Sequence, residues 1–387
     1  MNAMLRIGIV WLSLALFATA CSKVRVQVDA AADDRAWLYP GGGLLHTAFR
    51  PDGPQPPLKI QRMVKLNAAP GEHLAALDSL LFIPIKNGRV AVYDARRGKV
   101  VGKLKYPVGV EGHIAVHPDG LLLMSLRLGH QTLLCYDLKQ ARYLWKRRAG
   151  LIWGPPIPAD SSVYVVSKFK HADRYDLQTG RRIWRFGIES QAYAEPALTE
   201  SAMIFATDKG RVHAVERRTG KAVWEAQAGT RAVMVAPVVA LDHGLVYIAS
   251  LDSSLYALDL DSGRDVWRFR AGGSFWKAPA VRDSVLIASD GMGTLYALHA
   301  ATGQLLWQRA FSAPFGTTPL IVGGAVYLGA LDKTFYAFEL ASGRTLWQVE
   351  LKGRVRTNPM VFLNTIVVGS EDRYIYFLVQ EEMGVND

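Results

Sequence analysis

Leu255-Tyr256-Ala257-Leu258-Asp259-Leu260-Asp261-Ser262-Gly263-Arg264-Asp265-Val266-Trp267 holds an alternating apolar strand, a polar turn and the start of a second strand in thirteen residues. The unit recurs. Trp145, Trp184, Trp224, Trp267, Trp307 and Trp347 stand 39, 40, 43, 40 and 40 residues apart. Gly180, Gly220, Gly263, Gly303 and Gly343 each lie four residues before a Trp, and each follows a Thr or Ser. A period near forty residues marks a repeat architecture, which replaces the several domains that 387 residues would otherwise suggest.

Each repeat reads as four strands. Leu295 to Leu298 and Phe335 to Phe338 match the strand before the turn. A second strand precedes it, as in Val246 to Ser250 and Val326 to Gly329. A third begins after a Pro, at Pro237, Pro279 and Pro319, and the Trp carries the fourth. Short strands divided by Asp, Gly and Ser turns signal an all-β array. Their two faces are both apolar, so each sheet must be covered on both sides. Radial stacking does this. The expectation is an eight-bladed β-propeller of four-stranded antiparallel blades, with seven blades as the alternative. Unit one has Gly102 in place of Trp, unit three has the polar run Lys168 to Arg174, and unit eight stops after three strands. The stretch Leu58 to Val64 is expected to supply that missing strand and close the ring.

The N-terminus reads as an address. Ile7 to Phe17 is almost wholly apolar but too short to span a bilayer, and small residues follow it. Ala18-Thr19-Ala20-Cys21 resembles a bacterial lipobox. That resemblance implies cleavage before Cys21, acylation of that residue and, with Ser22 after it, the outer membrane. The expected divisions are a signal peptide over 1–20, a lipidated tether and linker over 21–57, the propeller over 58–380 and a tail over 381–387.

The net charge is +11. The basic residues recur along the repeats at Arg181, Arg182, Arg217, Arg218, Arg264, Arg268 and Arg344, and form no single tract. A solvated basic rim is expected, with an anionic envelope partner as the alternative; nucleic acid is not. The two cysteines, Cys21 and Cys135, form no CxxC. Cys135 aligns with Ala214, Ala257, Ala297 and Ala337, a small buried position.

The thirteen-residue unit resembles the PQQ-type propeller repeat, and Trp37 to Gly43 with His46-Thr47 resembles the motif that leads into such propellers. Two branches share this repeat: quinoprotein alcohol dehydrogenases, and BamB-like lipoproteins that serve outer-membrane barrel assembly. The first branch implies an adjacent cysteine pair over a quinone, a Ca²⁺ held by oxygens, an Asp base and long insertions. There is no Cys-Cys pair and the repeats are compact. Glu195, Asn358 and Asp290 could supply oxygens, but loop capping is the simpler role. His113 and His117, four apart on a strand-like run, do not read as a metal pair. The second branch implies a non-enzymatic scaffold, without cofactor or metal, on the periplasmic side of the outer membrane. It would be a monomer within a larger complex, bound to a membrane-embedded or periplasmic protein partner and to the membrane through its anchor. A polysaccharide- or ligand-binding propeller is a further alternative. The loops leading into the blades hold Trp153, Tyr193, Glu195, Met234, Phe275, Trp276, Lys277, Phe315, Arg356 and Asn358. Trp153, Tyr193, Trp276, Lys277, Phe315 and Arg356 are the candidate partner-binding residues, since aromatic and basic side chains dominate interface hot spots. The resemblance also implies a Leu- and Arg-rich partner loop, to which Arg127-Leu128-Gly129-His130 is the nearest stretch.

Overall fold

The computed structural model of the chain describes residues 37–106, 112–168 and 171–382. The expected signal peptide over 1–20, Cys21 and the last five residues lie outside these. Eight antiparallel blades are present. Seven are consecutive meanders, from the blade of Ala75–Leu77 to Lys99–Lys105 through that of Leu320–Val322 to Thr345–Glu350. The eighth contains Val355–Phe362, Thr365–Ser370 and Tyr374–Gln380, with Leu58–Lys65 as its outer strand. The lent strand therefore closes the ring as the pattern predicts.

The repeat motif is the joint between blades. Five of the six Trp residues pair in register with a small residue of their own blade, such as Trp267 with Ala257 and Trp145 with Cys135, while Trp184 faces Arg174. The residue before each Trp is a β-bulge, such as Val266. Bulges twist the exposed outer strand and blunt its edge. The indole then lies on the turn of the next blade. Trp145, Trp184, Trp224, Trp267 and Trp307 donate Nε1–H to the carbonyls of Leu177, Arg217, Leu260, Ala300 and Leu340, at 2.8–3.0 Å.

Two joints lack the Trp and solve the same packing differently. The lent strand places Arg62 opposite Phe377, the register position of the missing Trp, after the same one-residue bulge. Arg62 Nη1 donates to Gly98 O at 2.8 Å and to Tyr93 Oη at 3.1 Å. Blade 1 has Gly102 at the Trp position, opposite Val92. The facing turn of blade 2 carries Ala141 at φ 54°, where the other turns carry glycine. With no indole beside it, the β-carbon has room.

Blade 3 keeps its polar third strand by pairing what it buries. Asp173 is fully buried and accepts from Tyr175 Oη at 2.9 Å and from Arg185 Nε at 2.7 Å, and His171 Nδ1 lies 3.0 Å away. Burial alone would raise this carboxyl; His171 and Arg185 outweigh it and hold it low.

Residues 37–57 correct the expected boundary at 58. They are part of the propeller, not a tether. An inner strand has a free edge toward the axis, and its N–H groups need acceptors. The N-terminal segment supplies them. Ala76, Val116, Leu198, Val239, Val281 and Ile321 donate to the carbonyls of Trp37, Leu38, Leu44, Leu45, Thr47 and Ala48. The segment thus crosses the channel and bonds to blades 1, 2, 4, 5, 6 and 7 in turn. Blade 3 has Pro158 at the matching register position, which has no N–H to give. There the segment turns through Pro40–Gly42, with Gly41 at φ 68°. A β-carbon on Gly41 would meet His46 Cα at 2.8 Å. Phe49–Arg50 then adds to blade 7 in parallel. Residues 51–57 are also bound, with Pro54 O accepting from Tyr327 Oη at 2.7 Å.

Candidate functional site

The loops leading into the blades converge on one cavity of about 460 Å³ at the axis. Trp37, His46 and Ala48 of the N-terminal segment contribute to its lining. All six candidate partner-binding residues line it, as do Glu195, Met234 and Asn358. Phe275 does not. Its ring is fully buried in the core shared by blades 5 and 6. Phe315 is mostly a packing residue, 6% exposed and set against Phe338 and Phe311. Trp276 is the opposite, at 55% exposed.

One wall is aromatic and cationic. Trp153 and Tyr193 meet edge to face at 5.2 Å. The Arg127 guanidinium lies 4.7 Å from the Trp153 ring, and Lys168 Nζ lies 4.8 Å from Trp153 and 5.0 Å from Tyr193. These are cation–π distances. Arg127 Nη2 donates to His113 Nε2 at 3.2 Å, so that nitrogen carries no proton. Burial first, then His73 and Arg127, hold His113 down to about 3. His113 is therefore neutral at pH 7. His117 sits at the other end of the same strand, against Asp160 O, so the two histidines share no site.

The other wall is ionic. Lys277 Nζ of blade 6 donates to Glu72 Oε1 of blade 1 at 2.8 Å. Burial would raise the Glu72 carboxyl, but Lys277 and His73 outweigh it and hold it well below the usual range. Arg356 pairs with Glu371 at 2.8 Å. Glu72, His73 and Lys168 were not among the candidates from sequence; they come from the loop into blade 1 and from a hairpin end, apart from the aromatic loops that hold the candidates.

A quinone and Ca²⁺ do not fit these residues. Cys135 is buried, and the other cysteine, Cys21, is not its neighbour in sequence. Asp290 is spent on its own turn, accepting from Gly273 N, Met292 N, Thr294 N and Tyr296 Oη. Asn358 Oδ1 accepts from Thr318 N, and its amide nitrogen lies 3.3 Å from His73. Among the described residues, no three His, Cys, Asp or Glu side chains are grouped to hold a metal.

The comparisons agree with this architecture. The sequence model of a family described as outer membrane protein assembly factor BamB matches residues 86–253 and 251–378. The chain belongs to this family. An outer membrane protein assembly factor BamB of Bordetella pertussis is 29% identical over 125 residues, 32% of this chain and 31% of that protein. The chain thus spans under a third of that curated relative's length. The crystal structure of BamB from Moraxella catarrhalis superposes with a TM-score of 0.70 at 20% identity, covering 83% of this chain and 99% of that one. The quinohemoprotein alcohol dehydrogenase of Comamonas testosteroni superposes at 0.76 and 14% identity, covering 94% and 85%. At such identities the structural likeness speaks for the fold alone. Within the BamB-family propeller, Arg127 and Leu128 stand side by side at the cavity: Arg127 lies over the Trp153 ring, and Leu128 is 55% exposed.

Proposed function

We propose that this chain is a non-catalytic docking subunit in outer-membrane protein assembly, lipid-anchored through Cys21 on the periplasmic side. One observation carries the reading. Five loops from separate blades bring Trp153, Tyr193, Trp276, Lys277, Phe315 and Arg356 to one cavity. The mechanism is rigid presentation. The blades fix the loops, and a partner segment meets an exposed indole with cations around it. Trp153 also has a buried indole N–H with no hydrogen-bond partner among the described residues. Such a donor suits a partner that brings an acceptor. Glu72 is paired with Lys277 and Asp290 is taken up by backbone N–H groups and Tyr296, which supports a binding role over a quinone-dependent one.

The test places a photo-crosslinking residue at Trp276 in the full chain in native membranes. The expected product is an adduct with an outer-membrane barrel that carries periplasmic domains. An adduct with a cytochrome or an export system, or unchanged barrel assembly on deletion of the gene, overturns the proposal.

A further inference from the structure

A second concave site lies on the outer rim, at the joint between blades 2 and 3. It is an open groove of about 540 Å³, lined by Arg147, Arg148, Tyr175, Thr179, Arg181 and Arg182 among others. Arg147 is fixed in place. Its Nε donates to Gly180 O at 2.8 Å and its Nη2 to Thr179 O at 2.6 Å. Among the described residues, Arg148, Arg181 and Arg182 make no side-chain hydrogen bond or ion pair, and all three are exposed. The adjoining carboxylate, Asp176, is taken up by Thr179 N and Oγ1.

This is not the periodic basic rim that the repeats suggest. Arg217 is buried against Asp160, Arg268 bonds Ser254, and Arg344 pairs with Glu339. At the later joints the turn glycine is followed by Lys221-Ala222, Arg264-Asp265, Gln304-Leu305 and Arg344-Thr345. The outer strands they face end at Gly187, Gln227, Arg270 and Ala310. The blade 2–3 joint alone carries paired arginines on both sides.

We propose that this groove docks the propeller onto the phosphate headgroups of an anionic bilayer. A guanidinium fork matches two phosphate oxygens, and arginine is less strongly hydrated than lysine. Arg148, Arg181 and Arg182, set beside the fixed Arg147 around an open surface, meet several phosphates at once, as a bilayer presents them. Ile183 follows Arg182 and is 41% exposed, an apolar side chain beside the charges. The inference rests on the Cys21 anchor. Fifteen residues lie between Cys21 and Trp37, a span of sixteen Cα steps and a reach of at most about 58 Å. A tether that short keeps the groove at high effective concentration near the membrane.

The test uses the acylated full chain in vesicles of phosphatidylcholine, with or without about 30 mol% phosphatidylglycerol. A donor dye goes on the exposed turn through Gln178→Cys. Cys135 is buried, with its thiol pushed up to about 12, and does not compete for the dye. Acceptor dyes sit on the headgroups. Energy transfer should rise about twofold with phosphatidylglycerol and fall back in about 0.5 M salt. It should also fall back in the R148Q/R181Q/R182Q variant, with unchanged melting as the control for folding. Equal transfer in both vesicles, or no effect of the triple substitution, overturns the proposal. So does loss of the signal to inorganic phosphate at constant ionic strength, which would make the groove a site for soluble phosphate. If the chain fails to join phosphatidylcholine vesicles at all, the anchor reading fails. Arginine-dependent flotation with phosphatidylglycerol vesicles would then still uphold the groove.

Discussion

The indole of Trp267 lies against the backbone of Gly303 in the following blade, so closely that a β-carbon on Gly303 would stand 2.6 Å from Cε3. Gly303 also has φ 72°, in the left-handed region. Two separate constraints thus select glycine at this position. The same contact recurs between Trp145 and Gly180, Trp184 and Gly220, Trp224 and Gly263, and Trp307 and Gly343.

Gly303→Ala should therefore destabilise the propeller more than a turn glycine usually would. The left-handed backbone costs an alanine about 1 kcal/mol, and overpacking the indole adds about 1–3 kcal/mol. The reverse change at Ala141, Ala141→Gly, has no indole to relieve and should shift stability by less than about 1 kcal/mol. Denaturant unfolding of both variants checks the pair. Equal losses would show that the indole contact is irrelevant.

Trp307→Ala removes a ring that is 9% exposed and a hydrogen bond to Leu340 O at 3.0 Å. Truncating a buried Trp costs about 3–5 kcal/mol, so the melting temperature should fall by several degrees. An unchanged melting temperature would mean that blades 6 and 7 do not depend on this joint.

The repeat was legible because its parts are side chains. A Gly and a Trp at fixed spacing mark the joint, and the alternating run 58–64 matched the one unit that lacked a strand. Other parts left no such mark. The N-terminal segment holds the blades through its carbonyls, which every residue has, so its sequence reads as a linker. Arg62 fills a Trp position with a different chemistry, visible only in the strand register. Glu72 and Lys277 are 205 residues apart, and no spacing rule joins them. Phe275 and Trp276 are adjacent, yet one is core and the other is 55% exposed. The direction of a loop residue is set by the packing around it, which composition does not record.

Arg62 should matter to ring closure more than its place near the chain's N-terminus suggests. Arg62→Ala loses the bonds to Gly98 O and Tyr93 Oη, at about 1 kcal/mol each or somewhat more for a charged donor. The lent strand should then fray first. Amide exchange read over 58–65 and 374–380 should speed up while blades 4 to 6 stay protected. Uniform exchange across all blades would refute a local closure.

The cavity should make the protein sensitive to mild acid. His113 is held at about 3 in the folded chain, against 6.5 for an unperturbed imidazole. Between those values the unfolded chain binds a proton that the folded chain does not, so stability falls as pH falls below about 6.5. His213, held at about 4 by burial and Arg211, adds a second loss over part of the same window. Glu72, lowered in the folded state from 4.5, adds a third only below that value. His113→Gln retains an acceptor for Arg127 but cannot titrate. Its melting temperature should drop less than the parent's between pH 7 and 5, with the two curves converging in shape above pH 7. Parallel curves across the whole range would show that folding does not lower the His113 pKa, and the hydrogen bond from Arg127, which needs a bare Nε2, would then be lost below about 6.5.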